Sequence, residues 1–306
     1  MPTISDVFGN DLQPDPAVAL RPVQIPIRKR PGPSPRLQFV IEFVGPRSVS
    51  ASAAAALLSP DWKSALGEPE IYAMSQADVE WRPLTQTGAG SYDSLAIAWD
   101  LLTLRGQLSK QSAQHLLQTA ERFAEQIRRR AMAMPVPDDV PKAISQIKQV
   151  EEHFDAGASV LVLANSREVN EYELWVWCAK LGLTSNLTEG TFDWLVPASP
   201  LPLFSVSPVG DTESFSLEGA QRGDRHEGVL LGFSVPRSPE PMAGLEAMFA
   251  AASFLGGKMP GKVYDENNRE LTDRSRQTMR QELAEAVEAM TKLGFAPGSP
   301  ECLKTF

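Results

Sequence analysis

Apolar and polar residues alternate along LQFVIEFVG, residues 37–45. Leu37, Phe39, Ile41 and Phe43 fall on one side, and Gln38, Val40 and Glu42 on the other. A period of two predicts a half-buried strand. SASAAAALLSPDWKSALG (50–67) predicts a helix interrupted near Pro60 and closed by Gly67. EIYAM and VEWRPL, within 70–84, predict strands, and SLAIAWDLLT (94–103) alternates again. Ser109 is placed to cap a long helix with Leu116, Leu117, Ala120, Phe123 and Ile127 on one stripe. AMPVP (133–137) predicts a short strand. Asp138 and Asp139 then cap a helix carrying Val140, Ile144, Ile147, Val150 and Phe154, ending at Gly157.

The same order returns in the second half. SVLVLAN (159–165) predicts a strand and EVNEYELWVWCAKLG (168–182) a helix closed by Gly182. TFDWLVPA (191–198), PLFSVSP (202–208) and EGVLLGFSVP (227–236) predict strands. MAGLEAMFAAASFLGG (242–257) predicts a helix with Gly256 and Gly257 as its C-caps. KVYDEN (262–267) predicts a strand, and Thr272 or Asp273 caps a last helix with the stripe Met279, Leu283, Val287, Met290 and Leu293. The repeat predicts two similar α+β domains, each a mostly antiparallel sheet with helices on one face. Their expected limits are 36–156 and 157–306, behind a disordered Pro-rich linker over residues 1–35.

Composition narrows the function. The net charge is -9 among 306 residues, so a general nucleic-acid binder is disfavoured. The basic run Arg28–Lys29–Arg30 in the linker has the chemistry to touch anionic lipid or nucleic acid, but three charges are weak and a solvated tether is preferred. Two cysteines, Cys178 and Cys302, give neither a disulfide framework nor zinc spacing. His115, His153 and His226 are scattered, so no metal and no cofactor are expected. No apolar run approaches the roughly 18 residues of a membrane helix, and the polar, acidic N-terminus does not read as a signal peptide. Cys178 has no obvious base, and Asp138–Asp139 and Glu151–Glu152 occupy helix caps and faces. Arg128–Arg129–Arg130 reads as a cationic helix end, and Arg274, Arg276 and Arg280 as a solvated helical face. A non-catalytic binding module is therefore expected, with a hydrolase as the less favoured alternative.

The ordered set GVLLGFSVP, a helix ending in GG, and KVYDENNRELTDRSRQTMRQEL resembles the C-terminal domain of the ZipA family of bacterial division proteins. PLFSVSPVGD and SVLVLAN extend the likeness, which covers about residues 157–296. The ending GFAPGSPECLKTF and the front half resemble a subgroup of the family with an additional N-terminal domain. The resemblance implies a split β-α-β fold whose open sheet face takes the C-terminal tail peptide of FtsZ in a shallow apolar groove. It implies that Val160, Val162, Ala164, Leu203, Val209, Leu230 and Gly232 face the groove, with Phe192 and Trp194 as one wall. Phe204, Val206, Val229, Leu231, Phe233 and Val235 are implied to be core.

Two positions depart from the family pattern. Gly232 stands where the family places a large aromatic at the groove centre, and Val209 stands where it has Met. Two readings of the face therefore stay open: a smaller-sided groove, or a sheet face covered by the other domain in a scaffold of another complex. The corresponding face of the first domain offers Val40, Glu42, Ala96, Ala98 and Asp100, and is expected to be wet or partnered. The family normally starts with a membrane-spanning segment, which this sequence does not contain; either its start lies downstream of the anchor or this member is soluble, and membrane contact is expected only through such an anchor. The implied place of work is the cytoplasmic face of the inner membrane at the division site. No oligomeric state follows from the sequence.

Overall fold

The computed structural model describes residues 3–25, 32–58, 62, 67–75, 78–84, 90–165, 167–197, 199 and 201–306. The basic run Arg28–Lys29–Arg30 and most of the helix expected beyond Leu58 lie outside the described residues. The chain divides into two compact units, residues 28–153 in one and residues 1–27 with 154–304 in the other.

Chain order opens with α1 (Ile4–Phe8), which belongs to the second unit. The N-terminal unit is built on β1 (Gln38–Val44), β2 (Glu70–Ser75), β3 (Asp78–Pro83), β4 (Ser94–Asp100) and β5 (Arg130–Met134). These pair antiparallel in the order β3-β2-β4-β1-β5. Two helices follow β4 and β5 in turn: α2 (Lys110–Gln126) and α3 (Val140–Phe154). Ser109 caps α2 by accepting a bond from the Ser112 amide, as its residue type predicts. Phe39, Ile41, Phe43, Leu95, Ile97 and Trp99 are all buried, and Phe43 meets Phe123 of α2 edge-on at 5.2 Å.

The opposite face of this sheet, expected to be wet or partnered, is covered at its centre. Val40, Ala96 and Ala98 are buried there with Tyr72, and Trp81 packs against them. Gly32 lies so close to Trp81 that a Cβ would sit 2.9 Å from its ring. The carboxylates at the end of that face are bridged rather than left facing each other. Gln38 Nε2 donates to Glu70 Oε2 at 2.5 Å and to Asp100 Oδ1 at 3.1 Å, and the Tyr72 hydroxyl donates to Glu70 at 2.9 Å.

Arg129 also departs from its expected role. Helix α2 stops at Gln126, Arg128 turns the chain at φ 56°, and Arg129 points inward. Its guanidinium donates to the carbonyls of Phe43 (2.7 Å), Asp93 (2.6 Å) and Arg47. It ties loop backbone to the sheet instead of answering a helix dipole. Burial holds its pKa below the usual arginine value, partly offset by Asp93 and Glu42.

The C-terminal unit runs β6 (Gly157–Ala164), α4 (Glu171–Lys180), β7 (Thr184–Asn186), β8 (Thr191–Asp193), β9 (Ser205–Val209) and α5 (Leu217–Arg222). It continues with β10 (Gly228–Ser234), α6 (Pro241–Lys258), β11 (Gly261–Asp265), α7 (Asp273–Leu293) and α8 (Pro300–Thr305). The sheet order is β7-β8-β9-β10-β6-β11, and every pairing is antiparallel. Both units are thus α+β with antiparallel sheets. A core repeats between them: β4-β1-β5 with α2 matches β10-β6-β11 with α6. The hairpin beyond it differs. In the N-terminal unit its first strand, β2, joins the core, whereas in the C-terminal unit its second strand, β9, does so. The expected similarity of the two domains therefore holds for the core and fails at the hairpin.

Helix α6 is apolar on nearly every side because it is packed on the sheet and covered by α7. Gly256 and Gly257 lie inside it rather than capping it, since the helix runs to Lys258 and caps at Met259. Gly256 is small for another reason: a Cβ there would touch Val263 at 3.4 Å and Val162 at 3.6 Å. Helix α7 begins at Thr272, which shares a reciprocal capping box with Ser275, and closes at Gly294 with φ 82°. Arg276 and Arg280 are not simply solvated. Both guanidinium groups lie over the Phe249 ring of α6, at 5.5 and 5.4 Å, and Arg280 also pairs with Glu246.

Residues 3–25, expected as part of a disordered linker, contain structure. Thr3 and Asp6 form a capping box that starts α1. Phe8 then lies against α4, stacked on Tyr172 and on Trp175, each at 4.8 Å between ring centres.

Candidate functional site

Helices α4 and α6 lie on one side of the six-stranded sheet, so the phase of each strand decides what the other side offers. On β6, Val160 and Val162 have no exposed surface, while Leu161 and Leu163 between them are half-buried. On β10, Val229 and Leu231 are buried and Leu230 keeps 40% of its surface exposed. On β9, Val206 and Pro208 are buried, and Ser205, Ser207 and Val209 are not. The side away from the helices is therefore built from Ser159, Leu161 and Leu163 of β6, Leu230, Gly232 and Ser234 of β10, Ser205, Ser207 and Val209 of β9, and Tyr264 of β11.

Register assembles these into two zones. Leu161 lies opposite Leu230 on one neighbour and Tyr264 on the other, and Leu230 lies opposite Ser207. Together with Leu163 and Val209 they form an apolar patch, bordered on β11 by Lys262, which lies opposite Leu163 and pairs with Glu270. Gly232 lies between Ser159 and Ser205, opposite both. It leaves a notch floored by backbone and flanked by hydroxyls. A Cβ at Gly232 would sit 3.3 Å from the Ala158 carbonyl oxygen and 3.3 Å from Ser159 Cβ, tighter than ordinary contact. Ser205 Oγ is fixed by Asp193, whose carboxylate also accepts from Thr191 Oγ1 and Asn186 Nδ2. That carboxylate is buried and already served by three donors, so it behaves as a support. At the same end, a cavity of about 220 Å³ opens among Leu201, Ser205, Gly232, Ser234 and Arg237.

The structure divides the sequence-predicted site residues. Val209, Leu230 and Gly232 lie on the open face. Val160 and Val162 do not: they point into the helix-packed core, where Val162 approaches Gly256 of α6. Ala164 shares their phase at the strand end, its amide bonded to the Glu227 carbonyl. On β6 the residues of the open face are therefore Leu161 and Leu163, not Val160 and Val162. Leu203 is fully buried. Phe192 is buried under α4, edge-on to Trp175 at 4.9 Å and to Phe215 at 5.2 Å. Trp194 packs on Phe204 at 5.6 Å with 4% exposure, so neither Phe192 nor Trp194 forms a wall of the open face. Sequence reasoning missed Leu161, Leu163 and Tyr264. Their signal lay in register: Leu161 lies opposite Leu230 on one side and Tyr264 on the other, and Leu163 lies opposite Gly228.

The His226–Glu171 cluster is closed to solvent. His226 Nε2 lies 3.0 Å from Glu171 Oε2, and both side chains are at most 1% exposed. The second carboxylate oxygen accepts from the Ser216 amide (2.7 Å) and Trp175 Nε1 (3.3 Å). Cys178 is buried, and that burial pushes its thiol pKa well above the ordinary value, which removes it as a nucleophile. Among the described residues no group of His, Cys, Asp and Glu is arranged to hold a metal ion.

Comparison with known proteins bears on the same unit. Residues 159–282 match the family described as ZipA, C-terminal FtsZ-binding domain. No curated protein matches the chain.

Proposed function

We propose, from the premise that the C-terminal unit belongs to the ZipA C-terminal domain family, that this protein binds FtsZ in bacterial cell division. Its ligand is the C-terminal tail peptide of FtsZ, held without catalysis on the open face of the six-stranded sheet, and it works at the division site. The observation that carries this reading is the apolar patch of Leu161, Leu163, Leu230, Val209 and Tyr264, aligned by register on the helix-free side. A helical segment with apolar residues at i, i+3 and i+4 would cover such a patch. The notch at Gly232 would accept a bulky side chain from the ligand in place of one supplied by the strand.

Burying one of these side chains contributes about 1.5–3 kcal/mol in gross terms. Ordering the peptide offsets much of that. Binding on the order of micromolar is expected. The test is titration of labelled tail peptide into the full chain and into Leu230→Glu and Leu161→Glu. Each variant should weaken binding by at least about tenfold, equivalent to about 1.4 kcal/mol, with the circular dichroism spectrum unchanged. Tail peptide that binds wild type and both variants equally, or ignores a folded wild type at high micromolar concentration, rejects the groove.

A further inference from the structure

The C-terminal unit carries a second surface, on the helix side of its sheet, and one segment of the chain already lies on it. After α1, Gly9 takes φ 54° and turns the chain. Phe8, 3% exposed, stacks on Tyr172 at an interplanar angle of 25° and on Trp175 at 18°. Asp11 accepts from the Tyr172 hydroxyl at 2.6 Å. The segment then follows α4 to its end, where the Asp15 amide donates to the Lys180 carbonyl and the Leu20 amide to the Leu181 carbonyl, each at 3.0 Å. Ala19 closes against Gly182, whose φ of 81° ends the helix.

These contacts have the composition of a peptide ligand and not of a core element. One aromatic anchor is buried. One carboxylate meets one hydroxyl. Two main-chain bonds satisfy carbonyls that a helix end leaves free. Most of the remaining side chains of the segment, among them Ser5, Asp6, Gln13 and Asp15, are exposed or half-buried. Trp175 meanwhile has its own fixed support, the Glu171 carboxylate and the Phe192 ring, so its face is built whether or not Phe8 is present.

We propose that the Tyr172–Trp175 face of α4 is a peptide-docking site and that residues 3–20 are its intramolecular occupant, an exchangeable strap. Because the strap is joined to its site by the same chain, its effective concentration there is of order 1 mM. An intrinsic dissociation constant of about 10 μM then keeps the site closed about a hundredfold over open. The site becomes available to a free segment of the same chemistry, an aromatic residue followed three positions on by a carboxylate, only when the strap is displaced. This inference is independent of the FtsZ reading, which concerns the opposite side of the sheet.

The experiment uses the full chain. A fluorescein-labelled peptide of residues 3–20 is titrated by anisotropy into wild type and into Phe8→Ala. Wild type should bind at least about thirtyfold more weakly than Phe8→Ala, which should bind at micromolar concentration. The same peptide carrying Phe8→Ala should lose at least about tenfold in affinity for the opened chain. Tyr172→Phe, which keeps the ring and removes the donor to Asp11, serves as a second, milder opening and should admit the peptide partially. Equal uptake by wild type and Phe8→Ala, or uptake by neither opened variant, would overturn the proposal. So would a Phe8→Ala chain that loses its fold by circular dichroism, since the strap would then be core.

Discussion

Arg129 and Glu171 are two buried polar side chains with opposite sign and the same task. Each gathers several backbone or side-chain partners at one buried group. Arg129 serves three carbonyls of the N-terminal unit. Glu171 accepts from the Ser216 amide and Trp175 indole beside His226. Leaving such groups unpaired costs more than the bonds contribute when made, of order 1–3 kcal/mol per group. Arg129→Met should therefore destabilise the chain by about 3 kcal/mol, read as a lowered midpoint in urea with an unchanged slope. Glu171→Ala should cost a similar amount, about 3 kcal/mol, and the loss should appear in the C-terminal unit. Neither residue announces itself in the sequence. Arg129 sits among three arginines that look alike, and only the turn at Arg128 sends one of them inward. The thiols give a cleaner check. Cys178 and Cys302 are both fully buried, so a disulfide reagent should find neither in the native protein and two per chain after unfolding.

Among elements, legibility depended on contrast. On β10 the run Val229, Leu230, Leu231 and Gly232 offers contrast only at its end, and the outward phase of Leu230 and Gly232 was implied by the family resemblance. On β6 the run SVLVLA is apolar in both phases, so periodicity gave a strand without saying which side met the helices. The structure decides it through α6, which presses on Val160 and Val162. The hairpin inversion was hidden for a related reason: two short strands in sequence look the same whichever one joins the core. Helix α7 makes a further prediction at this scale. It adheres to α6 through Arg276 and Arg280 over Phe249, with Arg280 also paired to a half-exposed Glu246. Exposed ion pairs contribute little, and the ring contact adds a modest amount. A double-mutant cycle on Arg280→Ala and Phe249→Leu should return a coupling of about 0.5–1 kcal/mol.

For the molecule as a whole, residues 3–25 group with the C-terminal unit, so the N-terminal unit is an insertion between two parts of one domain. The two parts should differ in opening free energy. Strand amides of β10 are held between two antiparallel neighbours, whereas the strap rests on a single buried ring and a few bonds. Hydrogen exchange should accordingly be faster at the amides of Gly9 and Leu20 than at those of Val229 and Leu231, by two orders of magnitude or more on the scale of local against global opening. Slower exchange in the strap than in β10 would contradict this ordering. The same arrangement fixes a load path. Tension applied at residue 3 reaches the Phe8 ring, stacked on Tyr172 and Trp175, before it reaches either sheet, and the strap peels from α4 as one small yielding event. Force held below the rupture of the sheets would uncover Trp175 and leave both folds standing, so that a pull on residue 3 becomes a mechanical key to the second surface.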